Sequence, residues 1–106
     1  MTTRPINSLH LGEVMANVLE FIKRRFPKDC NWTNGNCYYF ALILSDRFNG
    51  TMYYDVIEGH FICKIEDNYY DYFGNVNTDG RILIEWNKFE EYDALQYKVI
   101  QRDVIN

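Results

Sequence analysis

Three side chains in this sequence have the types and the order that nucleophilic acyl chemistry requires: Cys37, His60 and Asp71. Cys37 opens the apolar run CYYFALILSDRF, directly after a stretch rich in Gly and Asn. That placement predicts a helix beginning at the cysteine, where unpaired N–H groups and the helix dipole stabilise a thiolate. A free thiol titrates near ~8.5, and such a position beside a protonated imidazole lowers that by several units. The thiolate is then a nucleophile. The competing reading is a small buried apolar residue, a common use of Cys. His60 follows Gly59 and opens the run HFICKI, so a strand mounts it across from the thiol as a base; the competing reading is a satisfied His at a strand edge. Asp71, in YYDYF, would orient the imidazole and stabilise the imidazolium.

The strand period tests that grouping. His60 and Asp71 share a sheet face only if the hairpin between them has an even-length loop. A turn at Asp67-Asn68 sets Asp71 opposite Lys64, too far from His60. A four-residue loop, 65–68, sets Asp71 opposite Ile62 and diagonal to His60, within reach. Asp55, on the preceding strand, is the fallback orienter. An oxyanion hole also needs donors. The Cys37 backbone N–H is one, and Asn31, Trp32 and Asn34 are candidates for the second.

A zinc site competes for the same residues. Cys30, Cys37, His60 and Cys63 form a nominal Cys3His set. The first pair is spaced too widely for a zinc knuckle, and His60 and Cys63 point to opposite faces of one strand. No metal is expected. Nothing resembles a phosphate-binding loop or a dinucleotide fingerprint, so no cofactor is expected either.

The elements that must position these residues follow from periodicity. Residues 1–7 read as a loose arm. Asn7 or Ser8 caps a helix reaching about Arg25, with Leu11, Val14, Met15, Val18, Leu19, Ile22 and Phe26 on one face. His10 lies within it. Lys23, Arg24 and Arg25 complement its C-terminal dipole, and Pro27 stops it. Residues 28–36 are a polar loop. The run 37–48, apolar nearly all round, reads as a buried central helix capped by Asn34 or Asn36 and ended by Asn49-Gly50. The period then changes: 51–57, 60–65 and 69–73 read as strands, with turns at Glu58-Gly59 and at 66–68. Residues 81–86 fit a strand or the lead-in to a short helix, and 95–105 fit a strand or a helix. The Tyr pairs at 38–39, 53–54 and 69–70 are core and cross-strand packing or a binding surface; in the strands each pair must split between two faces. The fold class is α+β, with N-terminal helices packed on a small antiparallel sheet.

Composition narrows the partners. The chain has 106 residues, consistent with one domain, and its 11 Lys+Arg against 15 Asp+Glu leave a net charge of −4. At 47% hydrophobic it supports a core, and its acidic balance argues against a general nucleic-acid binder. No apolar run approaches the ~20 residues that span a bilayer, and the N-terminus carries no signal-peptide core. A cytoplasmic protein with free thiols is expected.

The segments GNCYYFALIL, GHFICKI and YYDYFG resemble the Cys-helix, His-strand, next-strand order of papain-like cysteine hydrolases. The similarity is to compact NlpC/P60-like and transglutaminase-like members and to small bacteriophage proteins of that kind, over about residues 30–75. The resemblance implies hydrolysis or transfer at an amide or isopeptide bond of a peptide or peptide-like substrate. It places the acyl acceptor on Cys37, the base and acid on His60, and the orienter on Asp71. The alternative is an inactive phage-type protein on the same fold that binds a host protein in the host cytoplasm.

Overall fold

Helical periodicity near the N-terminus produces α1, Ser8–Arg25, in the computed structural model, which describes residues 8–26 and 37–105. The expected arm 1–7, the loop 28–36 with its Asn caps, and Pro27 lie outside the described residues. Val18, Ile22 and Phe26 are buried as the period predicts. Phe21 is buried too, edge-on to Phe26 and Phe48, whereas Leu19 is partly exposed. The buried face of α1 is therefore rotated from the expected one. An aromatic ring packed against two others excludes more water than the leucine it displaces.

α2, Cys37–Phe48, begins and ends where the sequence indicates. It is not buried all round. Cys37, Phe40, Ala41 and Leu44 form the inner face, while Tyr39, Leu42 and Ile43 remain between 42% and 45% exposed. A single sheet lies under the helix and can cover only one stripe of it.

The chain leaves α2 through Asn49, whose φ of 56° is left-handed, and Gly50, whose N–H donates to the Ser45 carbonyl at 2.9 Å. Gly50 runs close against β2. A Cβ there would lie 2.6 Å from the Lys64 carbonyl oxygen and 2.8 Å from the Cys63 sulfur. Gly50→Ala is therefore expected to destabilise the fold by about 1–3 kcal/mol, read as a lower urea midpoint with an unchanged slope.

The strands are β1 Thr51–Asp55, β2 His60–Ile65, β3 Asn68–Asp71, β4 Gly74–Asn75 and β5 Leu83–Glu85, in the spatial order β4-β3-β2-β1-β5. The first four are a meander. β5 returns to the opposite edge and pairs with β1, Asp55 against Leu83. Alternation sends Tyr54, Phe61, Cys63, Ile65 and Tyr70 into the core under α2. Tyr53 and Tyr69 meet on the other face, ring centroids 5.4 Å apart. Each Tyr pair in the strands is thus split between the faces.

After β5 a short 3-10 turn, Trp86–Lys88, leads into α3, Phe89–Tyr92. The segment 81–86 thus contains both a strand and a lead-in. The tail is helical, not a strand: α4, Ala94–Ile100, is capped by the Asp93 carboxylate accepting from the Gln96 N–H at 3.0 Å, and a wide turn, Gln101–Ile105, follows. Trp86 and Phe89 bring this tail onto Tyr54, and Trp86 also meets Phe61. The C-terminal helices therefore help clamp β1 and β2 from the core side.

Candidate functional site

The first turn of α2 meets the beginning of β2 at one end of the sheet. A cavity of about 340 Å³ opens there. Cys37 and Phe40 wall it from α2, and His60 and Phe61 from β2. Asp71 and the following Tyr72 and Phe73 close one side, and Glu58 and Arg81 the other. The three residues singled out by type and order thus border one cavity. Tyr72 and Phe73 also border an adjoining groove of about 410 Å³ lined by Leu19, Ile22 and Phe26 of α1.

Cys37 is the first residue of α2 and is buried. Burial pushes its thiol pKa up, against the backbone N–H groups of Phe61, Cys37 and Tyr38, which favour the thiolate. The expected lowering by the helix N-terminus is therefore not what prevails. Partial charges at a helix end do not offset removal of the sulfur from water among Phe40 and Phe61. Burial thus favours the neutral thiol over the thiolate.

His60 opens β2, paired directly with Asp55 of β1. Phe61 points toward Tyr38 under α2, so the alternation of the strand sets His60 with Asp55 on the opposite face, and His60 shares the cavity with Cys37 at the end of the sheet, where the first residue of β2 meets the first turn of α2. The His60 Nε2 is buried and has no hydrogen-bond partner among the described residues. Asp71 ends β3. The turn between β2 and β3 is Glu66-Asp67, with Ile65 against Asn68 and Cys63 against Tyr70. One further step sets Asp71 beside Ile62 and diagonal to His60. That is the register which the grouping of His60 with Asp71 requires. Asp71 Oδ1 accepts the Phe73 N–H at 2.8 Å. No hydrogen bond joins any two of Cys37, His60 and Asp71 among the described residues.

Asp55 does not serve as a spare orienter. It is fully buried, and both oxygens are engaged. Oδ1 accepts the N–H groups of Ile57 and Glu58, each at 3.0 Å, and Oδ2 accepts from Arg81 Nη1. Arg81 and Glu58 are the cavity residues that spacing alone missed. The one signal was Asp55 itself, a carboxylate on a strand between apolar neighbours, which needs a cation once buried.

Of the other candidates, Cys30 and the oxyanion candidates Asn31, Trp32 and Asn34 lie outside the described residues. Cys63 is buried on the α2 side of the sheet, away from His60, and burial pushes its thiol up to about 12. No group of three or more His, Cys, Asp and Glu suited to a metal occurs among the described residues. No described helix is long and apolar enough to cross a membrane.

The two raised thiols make stability pH-dependent. A folded-state pKa above the unfolded value of 9.0 means that the contribution is complete below pH 9 and is lost as pH rises toward the folded value. Cys63, pushed up to about 12, should cost about 1 kcal/mol of stability between pH 9 and 10, and Cys37 shifts stability in the same direction. Urea titrations of reduced protein at both pH values should show this loss, and Cys63→Ala should remove the Cys63 part of it.

Comparison with known proteins matches residues 18–102 to the family model described as Phage YunG-like protein. No curated protein and no solved structure matches the chain.

Proposed function

The chain belongs to the Phage YunG-like protein family, and on that footing we propose that it is a small cysteine hydrolase or acyltransferase of papain-like type acting at an amide or isopeptide bond. The observation that carries this is the single cavity bordered by Cys37 at a helix start and by His60 and Asp71 on consecutive strands. Cys37 attacks the acyl carbon. His60 takes the thiol proton and then gives it to the leaving amine. Asp71 orients His60 across the diagonal of the β2–β3 pair. Because burial favours the neutral thiol, proton transfer to His60 accompanies attack instead of preceding it. Hydrogen bonds of this kind are often long until substrate is bound, so their absence at rest is compatible with the scheme. The Cys37 N–H, at the start of α2, is a donor suited to the developing oxyanion.

The test is acylation by p-nitrophenyl acetate. Wild-type protein should release p-nitrophenolate and carry an acetyl group on Cys37 by peptide mass analysis. Cys37→Ser should lose both. Release at an unchanged rate in Cys37→Ser would remove this reading.

A second reading has its own support in the raised Cys37 thiol and the exposed apolar side of α2 at Tyr39, Leu42 and Ile43. On it, the fold is a non-catalytic scaffold that binds a host protein. Cys37→Ser then leaves binding intact, and Leu42→Asp abolishes it.

A further inference from the structure

The part of the cavity that the catalytic scheme leaves unused is Arg81. Its guanidinium is held from two sides. Nη1 donates to Asp55 Oδ2, and Nε donates to the Asn77 carbonyl at 2.9 Å. Nη2 has no partner among the described residues. The carboxylate behind it is fully buried, while the Arg81 side chain is 24% exposed and borders the cavity. The loop that carries it is braced as well. The Asp79 N–H donates to Asn77 Oδ1 at 3.0 Å, and the Arg81 N–H to the Thr78 carbonyl at 3.2 Å.

A guanidinium fixed in place and partly withdrawn from water, with a terminal nitrogen uncommitted, is suited to receive a carboxylate. A purely structural ion pair has no need to border the cavity that holds Cys37. The other charged side chains around that cavity, Glu58 and Asp71, are acidic and repel anions. Arg81 is the permanently charged cation among these lining residues, and an anion preference that it creates is lost when it is replaced.

We propose that Arg81 is a specificity-determining residue of the cavity and recognises a substrate carboxylate close to the group that reaches Cys37. This rests on the reading of Cys37 as the reacting group. It adds the substrate class: an acyl donor or acceptor carrying an acid beside the bond that is cut.

Iodoacetate and iodoacetamide test it, because they differ chiefly in the charge of one small group. Alkylation of Cys37 is followed by peptide mass analysis, which separates it from Cys30 and Cys63, in folded protein and in urea. The ratio of iodoacetate to iodoacetamide rates should be about tenfold or more higher in the folded protein, the size of one hydrogen-bonded charge contact. Arg81→Gln should return the ratio to the unfolded value. Should Arg81→Gln fail to fold with Asp55 unpaired, Asp55→Asn with Arg81→Gln removes both halves of the pair and should give the same result. A folded ratio at or below the unfolded one overturns the proposal, as does a raised ratio that survives loss of Arg81. A Cys37 that neither reagent reaches overturns both this proposal and the hydrolase reading. An iodoacetamide rate unchanged in His60→Ala strikes the hydrolase reading alone, because the proposal about Arg81 is read from the change in the ratio on Arg81→Gln.

Discussion

Asp55→Ala should lower the stability of the fold by about 3–5 kcal/mol, the cost of removing one half of a buried charge pair. The side chain is fully buried at the end of β1, between His60 on one neighbouring strand and Leu83 on the other. Truncation leaves the N–H groups of Ile57 and Glu58 without their acceptor and Arg81 without its counter-charge. Against a total of about 5–15 kcal/mol for a domain, such a loss brings the protein close to unfolding. Asp55→Asn keeps an acceptor for the turn and should cost less. Adding Arg81→Gln to Asp55→Asn should recover part of the loss, because no buried charge is then left alone. Urea unfolding of the three variants measures this. A loss below about 1 kcal/mol for Asp55→Ala, the range of exposed pairs, would show that the ion pair contributes little.

The same pair marks where reading the sequence runs out. Cys37 and His60 were legible because each begins its element. A polar stretch gives way to an apolar run at Cys37, and Gly59 precedes an alternating run at His60. Those are local signals, and the observed starts of α2 and β2 coincide with them. The β2–β3 register was legible as two alternatives and not as one, since Glu66-Asp67 is an unobtrusive turn whose first residue takes a φ of 55°. Arg81 lies far from Asp55 in sequence and reaches it only because β5 crosses back to β1. No pattern of spacing encodes that crossing. The exchange of Phe21 for Leu19 on the buried side of α1 has a similar origin, because Phe21 is chosen by Phe48 at the end of α2. The direction of the Cys37 shift was misread for a physical reason. The helix start is visible in the sequence, whereas the burial that desolvates the sulfur depends on Phe61, which another element brings to it.

That shift makes the largest functional effect a pH-dependent one. With its thiol above the ordinary value of 9.0, Cys37 is at most about one part in a hundred thiolate at pH 7. A reaction that waits for the thiolate to form unaided is correspondingly slow. A base that removes the proton during attack restores the rate, by about 10²–10⁴-fold. Acylation of Cys37 by p-nitrophenyl acetate at pH 7 should therefore fall by that factor in His60→Ala. The variant should then gain about tenfold for each unit of pH up to 9 and beyond, because its thiol ionises on its own. The wild type should depend on pH less steeply over the same range, so the gap between the two narrows as the solution becomes alkaline. Asp71→Asn should lie between them and keep the shallow slope, since Asp71 acts on the rate only through the orientation of His60. Two parallel profiles, with wild type and His60→Ala equal at pH 7, would mean that the imidazole takes no proton from Cys37. The cavity would then belong to a binding protein.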